Sequence, residues 1–460
     1  MPKVAKGVTL VVGLGISGRA ICRHLAREGV PFMVADTRTA PPGVDEFRAA
    51  HPGVALHCGA LTALDMSEAA EIVVSPGVDP ATPGLAEMRR HRRADGAPLL
   101  VGEMALFVRA ARAPIAAITG SNAKSTVTTL LGEMARLAGW RVAVGGNLGT
   151  PALDLLVDVP DAELYVLELS SFQLETTPCL GAESAAFLNL SEDHLDRHGD
   201  MAGYRDAKLA IFRGARHAVV NAEDPMTWPL EALPAIDRFT TQPPGTEEWG
   251  IASREGRDWL MHGATPLLPT DGMGLAGRHN QANALAALAM GSHLGLPLES
   301  MCEMLRRFKG LPHRSELIAE FGGVRWVNDS KGTNVGATLA AIAGLGPTLQ
   351  GRLVLLAGGL GKGADFTPLA APMARYGREA ILFGADAAKL AAALQESVPV
   401  TRVADLEAAM QRARAIAESG DCVLLSPACA SLDQFPNYLA RGEAFRERVH
   451  EYVEEAGHVS

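Results

Sequence analysis

Short apolar runs alternate with stretches carrying a helical hydrophobic repeat along most of the 460-residue chain. Val8–Val12, Phe32–Ala35, Glu71–Val74, Ile115–Ile118, Val142–Val144, Leu164–Leu167 and Ala185–Leu190 each read as a strand, and so do Ala218–Asn221, Val324–Val327, Leu353–Ala357, Ala380–Phe383 and Cys422–Leu425. Between them, Leu130, Met134 and Leu137 recur at helical spacing, Glu103–Ala113 is helix-like, and an Ala/Leu-rich helix begins after Gly277. Residues 216–275 are less legible. Pro- and Gly-rich loops there separate short hydrophobic pieces such as Trp259–Met261 and Leu267–Leu268, read as sheet-edge material. Strand–helix alternation predicts an α/β protein built on largely parallel, doubly wound sheets. Breaks near Gly102–Pro114 and Leu311–Arg314 predict three domains, 1–103, 104–310 and 311–460.

Composition narrows the class. Hydrophobic residues make up 48% and charged residues 20%, as in globular proteins. The net charge is 42 − 52 = −10 and no basic cluster stands out, which argues against nucleic acid or an anionic membrane as partner. Six scattered cysteines without a CxxC pair argue for a reducing cytoplasm and against disulfides or structural zinc. Lys3 and Lys6 before Val8–Val12 faintly mimic a signal peptide, but the run is short and enters a Gly-rich turn, so it reads as a first strand. No window approaches a membrane span.

The candidate chemistry centres on residues 115–131. A strand, a Thr119-Gly120-Ser121-Asn122-Ala123 turn and a helix opening at Lys124-Ser125-Thr126 make a phosphate cradle. Unpartnered N–H groups and the helix dipole would attract the anion, Lys124 would reach the terminal phosphates, and the Ser125 or Thr126 hydroxyl would ligate Mg²⁺. The match to the P-loop pattern is imperfect: Gly120 precedes Lys124 by four positions instead of six, and Ala123 stands where glycine is usual. Glu168, just past a strand on the same sheet edge, is placed for a further Mg²⁺ contact. His194 and His198 lack the glutamate of an HExxH zinc site, and a single imidazole joining Glu168 on Mg²⁺ fits better. Tyr204 and Lys208 share a helix face. A bare ammonium near metal ions would be repelled, so Lys208 is either a plain surface residue, the simpler reading, or chemically altered.

Elsewhere, Gly13-x-Gly15-x-x-Gly18 followed by Asp36-Thr37-Arg38 forms a dinucleotide-type turn, for which NAD or any other pyrophosphate is a candidate. Ser75-Pro76-Gly77 belongs to the same edge. Asn280 and Asn283 open a helix, as N-caps or as partners for an adenine edge. If the chain is extended after Asn328, then Asp329, Lys331 and Thr333 form one polar stripe. Lys331, Lys362 and Ser431 suit a small anionic ligand, and Cys429 has no nearby histidine that would make it a nucleophile.

With these motifs in view, the whole chain resembles the Mur ligases, which add amino acids to the peptidoglycan precursor. Thr119–Thr126 and Asp329–Asn334 are similar to family-wide motifs. Leu167–Glu175 and Ser426–Phe435 look like those of the D-glutamate-adding member. The resemblance implies a Rossmann-like uridine-nucleotide domain, a central P-loop ATPase-like domain and a Rossmann-like amino-acid-binding domain. It implies the ATP-dependent joining of D-glutamate to UDP-N-acetylmuramoyl-L-alanine through an acyl phosphate, in a cytoplasmic monomer using ATP and two Mg²⁺ ions.

The site residues implied are specific. Gly120, Ser121, Asn122, Ala123, Lys124, Ser125 and Thr126 would hold ATP phosphates and metal, with Asn283, Arg314 and Asp329 on the nucleotide. Glu168 and His194 would serve magnesium, and Lys208 would be a carbamylated lysine, reversing its plain reading. Gly15, Ile16, Asp36, Thr37 and Arg38 would line the uridine pocket, with Ser75 and Asn147 further along the substrate. Lys331, Thr333, Lys362, Ser431 and Leu432 would surround D-glutamate. Ala123, and Tyr438 in place of phenylalanine, depart from the family pattern. The remaining alternatives are another Mur-type or folylpolyglutamate-type amide ligase, an NAD-dependent dehydrogenase, and a nucleotide-binding protein without turnover.

Overall fold

In the computed structural model, which describes residues 2–275 and 277–457, the apolar runs assemble into three sheets. The first contains β1 (Thr9–Val12), β2 (Phe32–Asp36), β3 (Leu56–Cys58), β4 (Glu71–Val74) and β5 (Leu100–Gly102), all parallel in the order β3-β2-β1-β4-β5. The second contains β6 (Ile115–Thr119), β7 (Val142–Gly146), β8 (Leu164–Glu168), β9 (Ser184–Phe187), β10 (His217–Asn221), β11 (Ala235–Phe239), β12 (Trp249–Arg254), β13 (Arg257–His262) and β14 (Thr265–Pro269). Its order is β14-β13-β12-β11-β10-β9-β6-β8-β7, and β13 and β14 turn antiparallel at one edge. The poorly legible stretch is thus sheet edge. The third contains β15 (Glu316–Phe321), β16 (Val324–Asn328), β17 (Leu353–Gly358), β18 (Gly377–Phe383), β19 (Val400–Arg402) and β20 (Cys422–Leu425), ordered β15-β16-β20-β17-β18-β19.

Every residue of β1, β4, β6 and β8 is buried. Helices cover both faces of such sheets, so these strands carry little polar alternation. The strands that pattern alone did not show are short or half-exposed: β3, β5 and β19 have three residues each, and β15 is an antiparallel edge. The strand expected over Ala185–Leu190 stops at Phe187, because the next residues bend to the loop at 119–123, where Asn189 O accepts from the Ser121 N–H. The helix expected to Ala113 ends at Ala110, short of Pro114, which disfavours helical backbone before it.

Core packing ties the first two sheets together. One cluster runs from Val11, Val34 and Val73 through Phe107 to Tyr165, Leu167 and Phe187. Phe107 and Tyr165 meet edge-on at 5.0 Å. The two clusters of the third sheet are its own. At the seam between the first two sheets Glu103 is 1% exposed, and the donors near its carboxylate, Ser17 and the Leu153 backbone, are not aligned into well-formed hydrogen bonds. Burial pushes its carboxyl up to about 7, partly offset by nearby Ser17 and the Leu153 backbone.

A carboxyl whose folded pKa lies above its unfolded value favours folding only while protonated, so its contribution disappears as pH rises through about 7. Glu103→Gln is expected to stabilise the protein by about 2–3 kcal/mol at pH 8.5 and by less than about 1 kcal/mol at pH 5. Chemical denaturation at the two pH values measures the difference; equal effects at both would contradict it.

Candidate active site

β6 lies between β8 and β9, so the loops leaving these three strands meet although their residues are distant in sequence. They bring Lys124, Glu168 and His194 to one cavity. The loop at 119–123 turns into the helix Lys124–Leu137 at Ala123, whose φ of 66° is left-handed. An L-residue enters that conformation at about 1 kcal/mol and glycine nearly freely, which is the physical content of the departure at this position. Lys124 Nζ donates to Gly120 O at 2.8 Å and to Ser121 O at 2.9 Å. Ser125 Oγ donates to Glu168 Oε2 at 2.5 Å, and Asn147 Nδ2 donates to Glu168 Oε1 at 2.6 Å.

Lys208 is not a surface residue. It is 1% exposed, and its Nζ donates to the same Gly120 carbonyl at 2.8 Å. Burial and the neighbouring Lys124 ammonium drive its pKa well below the ordinary lysine value. Burial lowers Lys124 as well, against the pull of Glu168. Burial alone would raise Glu168, but Lys124, Ser125, Asn147 and Arg314 outweigh it and hold the group ionised. Burial pushes His194 down to about 4 despite Asp193 beside it.

The opposite wall comes from the third domain. Loops after the adjacent strands β16, β20 and β17 supply Lys331 and Thr333, Ser431 and Leu432, and Lys362. With the middle-domain loops they enclose about 330 Å³. Arg314 Nη2 donates to Ser125 Oγ at 2.5 Å, and Lys362 pairs with Asp193 at 3.2 Å. Asn334 Nδ2 donates to Asn122 Oδ1 at 3.2 Å and to Asp193 Oδ2 at 3.3 Å. Lys331 lies 4.1 Å over the Tyr438 ring, and burial with Arg314 and Lys124 brings its ammonium to about 8. Cationic groups outnumber the two lining carboxylates, Glu168 and Asp193, so the cavity is built for anions.

Other expected residues lie elsewhere. Gly15, Ile16, Asp36, Thr37, Arg38 and Ser75 sit at the carboxyl edge of the first sheet and do not line this cavity. Asp36 there accepts the Leu14 N–H at 2.7 Å and is gripped by Arg38 at 2.8 and 2.7 Å, while Ile16 is 69% exposed. Asn283 and Asp329 are also outside the lining, and Thr126 is buried in its helix. Neither Asn280 nor Asn283 is an N-cap, since Gly277 holds that position. The Asp329–Thr333 stripe does not form, because the chain turns, with the Gly332 N–H donating to Asp329 O. Asp329 instead accepts from Ser426 Oγ at 2.7 Å, and burial raises its carboxyl to about 6. Cys429 is a buried thiol pushed up to about 12.

Asp193, Asn334 and Arg441 carry no role in the sequence pattern, although Asp193 adjoins His194 and Asn334 closes the Asp329–Asn334 motif. Arg441 lies in a C-terminal helix with no motif at all. It is fully buried, donating to Ser330 O at 2.8 Å and Cys429 O at 3.2 Å, and so clips together two loops of the third-domain wall.

A strand–loop–helix unit carrying Lys124, faced by a cationic wall on a second domain, fits a known class: the chain belongs to the Mur ligase family. Family models match in all three domains: the MurD-like N-terminal domain over residues 7–93, the middle domain over 118–291 and the glutamate ligase domain over 313–429. Among relatives, it is 70% identical over 447 residues to the UDP-N-acetylmuramoylalanine--D-glutamate ligase of Chromohalobacter salexigens, covering 97% of this chain and 98% of that one. It is 52% identical to the ligase of that name from Pseudomonas aeruginosa, covering 96% and 97%. Its fold is shared with two Thermotoga maritima structures, each 17% identical. MurF ligase in complex with ADP has a TM-score of 0.62 (92% of this chain, 96% of that one), and the UDP-N-acetylmuramate-alanine ligase MurC has 0.60 (97% and 99%). The dehydrogenase reading of Gly13–Gly18 gives way to this membership.

Proposed function

We propose that this protein joins D-glutamate to UDP-N-acetylmuramoyl-L-alanine at the expense of ATP, in peptidoglycan precursor synthesis. The observation that carries the reading is the single cavity in which Lys124 and Glu168 of the middle domain face Lys331, Lys362 and Ser431 of the third. Full-length similarity to ligases of that name supports the choice of substrates.

A carboxylate is a poor acyl donor. In the proposed reaction an oxygen of the alanyl carboxylate bonds to the γ-phosphorus of ATP as the bond to the β-phosphate oxygen breaks, giving ADP and an acyl phosphate. The neutral amine of D-glutamate then attacks the acyl carbon, the bond from that carbon to the phosphate oxygen breaks, and the nitrogen's surplus proton departs with inorganic phosphate. Lys124, released from the Gly120 and Ser121 carbonyls, neutralises the transferred phosphoryl group, and the N–H groups of residues 120–126 hold the phosphates, with Arg314, Asn283 and Asp329 on the nucleotide. Lys331, Thr333, Lys362, Ser431 and Leu432 hold the amino acid. Gly15, Ile16, Asp36, Thr37, Arg38, Ser75 and Asn147 hold the uridine nucleotide and its extension. The reacting atoms must come within about 3–3.5 Å, which the third domain's polar contacts to the middle domain favour.

Glu168 Oε2 and Ser125 Oγ, 2.5 Å apart beside Lys124, are hard oxygen donors suited to Mg²⁺. No three His, Cys, Asp or Glu side chains converge as a metal cage among the described residues. A carbamate on Lys208, formed when its neutral amine adds CO₂ and loses a proton, would supply the missing carboxylate beside His194 for a second ion. Magnesium, when bound, would spread the charge of phosphoryl transfer.

We place this work in the cytoplasm, where the six unpaired cysteines would stay reduced, and in a monomer. The deciding experiment measures ADP release with UDP-N-acetylmuramoyl-L-alanine and either D- or L-glutamate. Release only with the D isomer is expected; equal rates, or release with neither, would reject the assignment.

A further inference from the structure

We infer that Arg197 is a positioning residue that sets the nucleotide-bearing first domain against the reacting cavity, an inference that rests on the function just proposed. A substrate held by its nucleotide at the Gly13–Gly18 turn and by its carboxyl end near His194 must cross the seam between the first two domains.

Arg197 stands at that seam, in the short helix Leu195–His198 that directly follows His194. Its side chain is only 10% exposed. Nη2 serves both domains at once, donating to Val78 O of the first at 3.1 Å and to Glu175 Oε1 of the middle at 2.7 Å. Nε lies 3.6 Å from Asp79, again in the first domain. The guanidinium carbon sits 4.9 Å over the Phe172 ring, and that ring meets the His194 imidazole, also at 4.9 Å.

On the far side, Val78 presses on the nucleotide turn. A Cβ placed on Gly13 would fall 2.7 Å from Val78 Cγ2 and 3.0 Å from Ser75 Cβ. One side chain therefore joins a continuous line of contacts: Gly13, Val78, Arg197, Phe172, His194. Planar stacking combined with donors that reach two acceptors is within the capacity of arginine and beyond that of lysine. Cohesion of the domains does not rest on it, since the apolar cluster that joins Val11, Val34 and Val73 to Tyr165 and Leu167 spans the seam, as does the Arg23–Asp154 ion pair at the surface, far from His194 in sequence. What remains for Arg197 is the registration of one end of the substrate relative to the other.

The test compares Arg197→Gln and Arg197→Lys with the wild type in steady-state kinetics, in calorimetric binding of UDP alone and of UDP-N-acetylmuramoyl-L-alanine, and in thermal unfolding. Registration lost by a fraction of an ångström should lower kcat/KM for the uridine-nucleotide substrate about 10- to 100-fold, while the KM for ATP, the Kd for UDP and the melting temperature stay near wild type. Lysine, which keeps the charge opposite Glu175 but not the stack, should recover part of the loss. Unchanged kinetics in Arg197→Gln would overturn the inference, as would a loss of UDP or ATP affinity in step with substrate. Should Arg197→Gln not fold, Arg197→Lys carries the same comparison. If the wild type itself releases no phosphate with D-glutamate, the functional proposal is what fails. Arg197 is then judged by whether its variants weaken binding of the full nucleotide substrate relative to UDP.

Discussion

Lys124→Ala should reduce turnover by at least about a thousandfold while leaving uridine-nucleotide affinity intact, since removing a cation that meets charge developing in phosphoryl transfer costs on that scale. The ammonium is held by two carbonyls of its own loop, Gly120 and Ser121. These neutral acceptors keep it poised and can be exchanged for anionic phosphate oxygens, which bind a cation more strongly. The loss should fall on kcat, because the charge it meets grows in the transition state. Single-turnover measurement of ADP formation isolates the step. Wild-type turnover in the variant would remove Lys124 from the chemistry and with it the phosphate-cradle reading.

The second large effect is expected from carbon dioxide. Lys208 Nζ and Lys124 Nζ donate to the same Gly120 carbonyl, and burial and that neighbour favour the neutral amine of Lys208. A neutral, enclosed amine can add CO₂, whereas a protonated one cannot. The resulting carbamate would turn a charge repelled by Lys124 into one attracted to it. Enzyme prepared and assayed without CO₂ should lose most of its activity and regain it with bicarbonate, and Lys208→Ala should lose about 100- to 1,000-fold without responding to bicarbonate. A ¹³C-bicarbonate sample that shows no carbamate resonance, or activity indifferent to CO₂, would rule the modification out.

The alternative reading of Lys208 shows where pattern reading stops. Spacing put Tyr204 and Lys208 on one helix face but could not say whether that face met water or the back of the phosphate loop. The Tyr204 ring, with Lys208 Nζ 4.7 Å from its centre, lies on the buried side. Asp329 was legible as a carboxylate near a strand end, but its direction was not, because a turn at Gly332 replaced the extended backbone on which the stripe depended. Arg441 was invisible: its partners, Ser330 and Cys429, are 111 and 12 residues away, and nothing local to a helix records them.

Taken by itself, the order of residues determined the parallel strands with their unbroken apolar runs, the strand–loop–helix turn around Lys124, and the acid and imidazole that follow two strands. These depend on neighbours within a few positions, through local backbone preference and the burial of both sheet faces. That Lys124, Glu168 and His194 belong to one sheet edge was legible; the order β8-β6-β9, which sets their loops side by side, came only with the tertiary structure. The tertiary structure also decided which cations oppose them across the cavity and which carboxylates are already occupied. Those outcomes depend on distances and dielectric surroundings, which the chain acquires only when separate sheets close on one another.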